Sequence, residues 1–209
     1  MDKAKIDQFW QARTKVSDAR IATNYRDDGR LQIDCDFVRR FIFNEARILD
    51  LGAGTCTLTS QLLPYCREAT AVEKFAEFLD KAPVSSKLTK ICCDVVSFQS
   101  QESFDAILLF GVANFLTPDE ESELYANCCR MLSGRGTFLV KNQCGVDREI
   151  VVDKHSDELG CHYHARYPFV QDQKDRLDRH FVTTVVDIYP AHINRWSDTH
   201  FYGFVCECK

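Results

Sequence analysis

The chain has 209 residues, 45% of them hydrophobic and 27% charged, with a net charge of -5. That composition fits one globular domain, and the acidic balance excludes a broad basic footprint for duplex nucleic acid, so no nucleic-acid partner is expected. Its 11 cysteines are odd in number and lack any Cys-x-x-Cys, which excludes complete internal pairing and favours a reducing, cytoplasmic setting.

Lys3 to Ser17 reads as a helix with Ile6, Phe9, Trp10 and Ala12 as an apolar stripe. Its start is charged throughout, so no secretory leader is read there. Asn24 to Gly29 is a polar turn, and Ile33 to Ile42 returns to helical spacing. An alternation then begins. Strands are expected at Ala46–Leu51, Ala69–Glu73, Leu88–Asp94, Phe104–Phe110 and Thr137–Lys141. Helices are expected at Thr57–Leu63, Lys74–Lys81 and from Pro118 to about Leu132. Thr117 and Glu120 form a capping box for the last of these, with Pro118 in its first turn. Gln171–Asp178 reads as a helix, and Val182–Tyr189 and His200–Cys208 as an antiparallel pair. Apolar strands alternating with helices imply a parallel sheet covered on both faces. The longest mostly apolar run, Ala106 to Leu116, falls well short of the ~20 residues of a membrane span, so no membrane insertion is expected.

The strongest chemical signal is Ile48-Leu49-Asp50-Leu51-Gly52-Ala53-Gly54-Thr55, a strand running into a glycine turn that opens a helix. Glycines there let the backbone turn tightly and approach a ligand closely. Glu73 ends the next strand, where an acidic side chain can accept from ribose hydroxyls. A dinucleotide fingerprint would place glycine at Thr57, and no phosphate-cradling Gly-Lys-Ser/Thr follows. The pattern instead resembles the first motif of the class I S-adenosylmethionine-dependent methyltransferases, matched at Asp50, Gly52 and Gly54, with Cys56 in place of a third glycine. The resemblance runs from about Arg47 to Cys208.

It implies an α/β fold: a Rossmann-like seven-stranded, mostly parallel sheet with helices on both faces and the last strand antiparallel. Residues 1–209 would form one domain, with 1–44 as a helical cap or lid and 45–209 as the core. It implies S-adenosylmethionine as cofactor, S-adenosylhomocysteine as product, and a site of Asp50, Gly52, Ala53, Gly54, Glu73, Lys74, Asp94, Val95, Phe110 and Gly111. Glu73 would hold the ribose, Asp94 and the Val95 amide the adenine, and Phe110 and Gly111 the methionine part.

The acceptor side is read from position. Tyr25, Arg26 and Arg30 sit in or beside the polar turn of the cap, and Asn142 follows the fifth strand beside Lys141 and Gln143; they are candidate acceptor contacts. Asn114 interrupts an apolar run past the fourth strand and would orient an acceptor, and His162 is a candidate general base because histidine titrates near working pH. Cys161-His162-Tyr163-His164 lacks a second ligand pair, so no metal is expected. The expected activity is methyl transfer to a small-molecule or glycan acceptor, at oxygen. The alternatives are N- or S-methylation, or a non-catalytic cofactor-binding interaction protein on the same scaffold.

Overall fold

The computed structural model describes residues 2–23, 29–156, 161–194 and 196–209. Three helices come first: α1 (Lys3–Arg13), α2 (Ala19–Ala22) and α3 (Arg30–Arg39). The alternating core follows as β1 (Arg47–Leu51), α4 (Thr57–Leu62), β2 (Glu68–Glu73), α5 (Ala76–Leu79), β3 (Leu88–Cys92), β4 (Phe104–Phe110), α6 (Pro118–Met131) and β5 (Leu132–Gly145). The remainder is β6 (Ile150–Ser156), β7 (Cys161–Tyr167), α7 (Val170–Leu177), β8 (Phe181–Asp187) and β9 (Thr199–Cys208). Seven strands form one sheet in the order β3-β2-β1-β4-β5-β9-β8. The first five run parallel, and β9 is inserted antiparallel to both β5 and β8.

The side-chain period of two along a strand divides the core into layers. Leu49, Leu51, Ile107, Leu109, Phe138 and Val140 face α6 and α7, packing on Leu124, Tyr125, Cys128 and Leu177. Ile48, Ala106, Leu108 and Leu139 face the opposite way, onto Phe37 and Val38 of α3 and Leu58 and Leu62 of α4. Both bonds of the capping box form: Thr117 N donates to Glu120 Oε2 at 2.7 Å, and Glu120 N to Thr117 Oγ1 at 3.3 Å.

Three features differ from the sequence reading. β5 continues four residues past Lys141, to Gly145. An antiparallel hairpin, β6–β7, stands where no strands were expected. β3 is the sheet edge, so the sheet is not covered on both faces throughout: Cys92 at its end is exposed and Cys93 half-buried. Among the described residues no helix is long and apolar enough to cross a membrane.

A buried ionic knot ties the hairpin to the core. Glu121 on α6, wholly buried, pairs with Arg166 of β7 and accepts from Arg176 Nε of α7 at 2.9 Å. Tyr125 Oη donates to it at 3.3 Å and Gln173 Nε2 at 3.2 Å. Removing the carboxylate would take the acid partner from the half-buried Arg176 and leave the buried Arg166 with only Glu149 and the Leu116 carbonyl. Glu121→Ala should therefore cost ~3–5 kcal/mol, read as a lower urea midpoint at unchanged slope.

Candidate active site

The turn after β1 is set by backbone hydrogen bonds. Gly52 N and Ala53 N both donate to Val72 O of β2, at 2.8 and 3.0 Å. Gly52 and Gly54 have φ of +76° and +54°, a region that L side chains enter at a cost. A Cβ on Gly52 would also collide with Val112 Cγ2, and one on Gly54 with Thr23 Cγ2. Cys56 is the one non-glycine with positive φ among the described residues, at +55°. It caps α4 in a glycine-like conformation, and its side chain is fully buried with Ala71, Leu79 and Ala82. Burial pushes its thiol up to about 12, far from the thiolate a nucleophile needs.

Two carboxylates stand side by side at the carboxyl ends of β1 and β2. Glu73 accepts from Gly54 N at 2.9 Å and from Phe75 N at 3.0 Å. Burial raises its carboxyl above the usual range, opposed by those N–H groups. Asp50 accepts from the Thr59 hydroxyl of α4. Burial raises the Asp50 carboxyl to about 6, against the Thr59 hydrogen bond and with added repulsion from Glu73. Asp94 accepts from Val96 N at 3.0 Å. Lys74 spans 2.8 Å to Asp7 of α1 and 3.6 Å to Asp94.

All ten residues expected to hold the cofactor line one cavity of about 1110 Å³. That exceeds the ~300–1,000 Å³ of an ordinary single-ligand pocket, leaving room for a second small molecule. Glu73, 7% exposed and held by its two N–H donors, has the remaining lone pairs that vicinal hydroxyls would use. The donor set therefore fits an adenosine-type cofactor.

α1 and the hairpin supply the far walls. Trp10 makes edge contacts with Phe78 and Phe115, and Phe9 with Tyr163 of β7. Lys3 pairs with Glu120 at 2.6 Å, Gln11 donates to Glu77 at 2.9 Å, and Lys5 lies 3.7 Å from Asp153. Arg13 is turned inward, donating to the carbonyls of Ile21 and Ala22, so it braces α2.

The expected acceptor residues separate. Arg30 lines the cavity, with its guanidinium 5.7 Å from the Phe201 ring centroid. Tyr25 and Arg26 lie outside the described residues. Asn114 lines the cavity too. With its amide turned so that nitrogen meets oxygen, that nitrogen donates to Gln143 O and Arg166 O at 3.1 Å each and to Asn142 Oδ1 at 2.7 Å. It thus staples the turn after β4 to β5 and β7. Asn142 is fully buried and bonds Gln173 at 3.3 Å, on the sheet face away from the cavity. Its neighbours Lys141 and Gln143 line the cavity instead, as strand alternation requires. His162 is half exposed on β7, is paired with Asp153 and is not among the cavity-lining residues; His155 of β6 is. Sequence reasoning missed Asp34 and Tyr189, which meet Lys141 in the same wall.

Residues 49–140 match the family model described as a methyltransferase domain. No curated protein matches the chain. Among solved structures, a SAM-dependent methyltransferase of Leishmania major is 19% identical at a TM-score of 0.75, with 98% of this chain and 82% of that one covered. A phosphoethanolamine N-methyltransferase 1 of Haemonchus contortus, in complex with phosphoethanolamine and S-adenosylhomocysteine, is 15% identical at 0.78, with 99% and 49% covered. The glycopeptide N-methyltransferase MtfA complexed with S-adenosyl-L-methionine is 16% identical at 0.67, with 86% and 94% covered. The chain thus shares the fold of these methyltransferases, and its residues 49–140 match the methyltransferase-domain model.

The raised Asp50 carboxyl has a stability consequence. Between the ordinary 3.8 and about 6 the folded state binds the extra proton, so stability falls as pH rises through that window. The loss is of the order of 3 kcal/mol for a shift from 3.8 to about 6. In urea unfolding from pH 4 to 7, Asp50→Asn should flatten that decline and leave the variant more stable than wild type above pH 6.

Proposed function

We propose that this methyltransferase domain binds S-adenosylmethionine in the cavity and methylates a small-molecule or glycan acceptor at oxygen. The observation that carries the reading is the convergence of all ten expected cofactor residues on one cavity with space beyond them. The cofactor supplies an electrophilic methyl on a positively charged sulfur. Glu73 accepts from the ribose hydroxyls, Asp94 and the Val95 amide meet the adenine, and Phe110 and Gly111 border the methionine part. The glycine turn lets the backbone approach without a Cβ in the way.

The remaining work is positioning. Holding donor and acceptor at near-attack distance removes much of the entropic barrier. α1 acts as a lid, with Trp10 over the cavity and Asp7 clasping Lys74 at its rim. Closing that wall excludes water, which would compete for the methyl and screen the charges. Residues 1–44 are read as this cap and 45–209 as the catalytic core. Asn114 acts by holding the turn after β4 in place rather than as a base. N-methylation is the second reading, supported by the likeness to two N-methyltransferase structures.

Calorimetry tests the cofactor half directly. Wild-type protein should bind S-adenosylmethionine and S-adenosylhomocysteine below millimolar, and failure with both would sink the proposal. Glu73→Ala should weaken both by ~1–3 kcal/mol, the worth of hydrogen bonds to a buried charged group. Radiolabelled methyl transfer to sugars, sugar phosphates, phenols and amino alcohols then separates oxygen from nitrogen acceptors.

A further inference from the structure

Four cysteines gather at the end of the sheet away from the cavity. Cys128 and Cys129 lie in the last turn of α6, and Cys206 and Cys208 at the end of β9. In the sheet Glu207 stands opposite Thr137, whereas the cavity residues Lys141, Gln143 and Thr199 lie toward the other end of the same strand pair. Side chains two apart on a strand share a face. Phe204 and Cys206 pack with Cys128, so Cys208 continues their row toward α6. Its register partner on β8 is Phe181, which belongs to the same layer. Cys129 reaches this spot from the helix: its Sγ donates to the carbonyl of His180, the residue before Phe181, at 3.9 Å. The two sulfurs meet there, and the Cys129 and Cys208 thiols are hydrogen-bonded to each other.

The cysteines differ in access. Cys128 and Cys206 are fully buried, and burial pushes the Cys206 thiol up to about 12. Cys208 is exposed and Cys129 half-buried. Hydrogen-bonded thiols have only to close to the ~2 Å of a sulfur–sulfur bond. Each of these two sits at the end of its element, where the backbone adjusts most readily.

We propose that Cys129 and Cys208 form a reversible disulfide, a latch that ties α6 to β9. The oxidant is a small disulfide of the glutathione class. The Cys208 thiolate attacks one of its sulfurs, a new sulfur–sulfur bond forms, and one small thiolate leaves. The Cys129 thiolate then attacks the Cys208 sulfur and expels the second. The two protein thiol protons end on the two departing thiols, and two electrons pass from the protein sulfurs to the small disulfide, so the exchange balances. Burial and the neighbouring Cys129 hold the Cys208 thiol above its ordinary value, which makes the latch slow to set. Once set, it closes the chain between Cys129 and Cys208 and fixes β9, the strand inserted between β5 and β8. Closing so long a loop removes much freedom from the unfolded chain. The pair lies outside the cavity, so the inference stands apart from the methyl-transfer reading.

Reduced protein is incubated with oxidised glutathione at mildly alkaline pH, freed of reagent, and unfolded in urea with and without dithiothreitol. Wild type should gain about 1 M in its urea midpoint, and dithiothreitol should abolish the gain. Cys129→Ser and Cys208→Ser, treated alike, should gain nothing, while their reduced midpoints stay near wild type. Glutathione taken up by other cysteines affects all three proteins and cancels in the comparison. Intact mass gives a second readout. Cys129→Ser keeps the attacking thiol and lacks the resolving one, so it should carry one more glutathione than oxidised wild type. No gain in wild type overturns the proposal, as does equal glutathione on wild type and Cys129→Ser, because the thiols then do not bridge. A gain that either variant keeps overturns it too, because another pair is then responsible.

Discussion

The site depends on how the chain satisfies three consecutive backbone N–H groups between β1 and α4. Buried amides must find acceptors, and here two donate to Val72 O and the third to the Glu73 carboxylate. That arrangement forces the left-handed glycines, fixes the spacing of β1 and β2, and holds Glu73 at the cavity edge. It also holds Asp50 and Glu73 in a poorly solvated place, and burial is the main reason both carboxyls are raised. Stability is given up locally at the floor of the cavity.

Around this fixed floor the cavity is walled by additions to the sheet. α1 closes one side through ion pairs and aromatic edges, and the β6–β7 hairpin closes another. The hairpin is anchored from beneath, by Glu121 reaching Arg166 across the core boundary. The floor is thus rigid backbone, whereas the α1 wall is held largely by side chains at the surface. That division suits the proposed function, in which ligands must enter and leave.

What was legible in the sequence was local. Asp50, Gly52, Gly54 and Glu73 could be found because strand, turn and acid lie within one short stretch with a fixed spacing. Thr117 and Glu120 announced a helix start whose bonds both form. The hairpin escaped notice because Asp153, Lys154, His155, His162 and His164 make its strands polar, and strand signals rest on apolar and aromatic runs. Which of Lys141, Asn142 and Gln143 faces the cavity depends on the strand's parity, which only the extent and burial of β5 reveal. Asp34 and Tyr189 had no signal at all: each looked like an ordinary polar residue until three remote segments were brought together.

Cys56 carries a consequence of a different kind. Glycine at that place would reach the left-handed region freely, but it would also wander widely in the unfolded chain. A residue with a Cβ has fewer states to lose, though it is strained in the one it keeps. Here the Cβ and sulfur are held by Ala71, Leu79 and Ala82, so the strain is confined by packing. The turn is then already ordered before any ligand arrives, and binding has less entropy to remove from it.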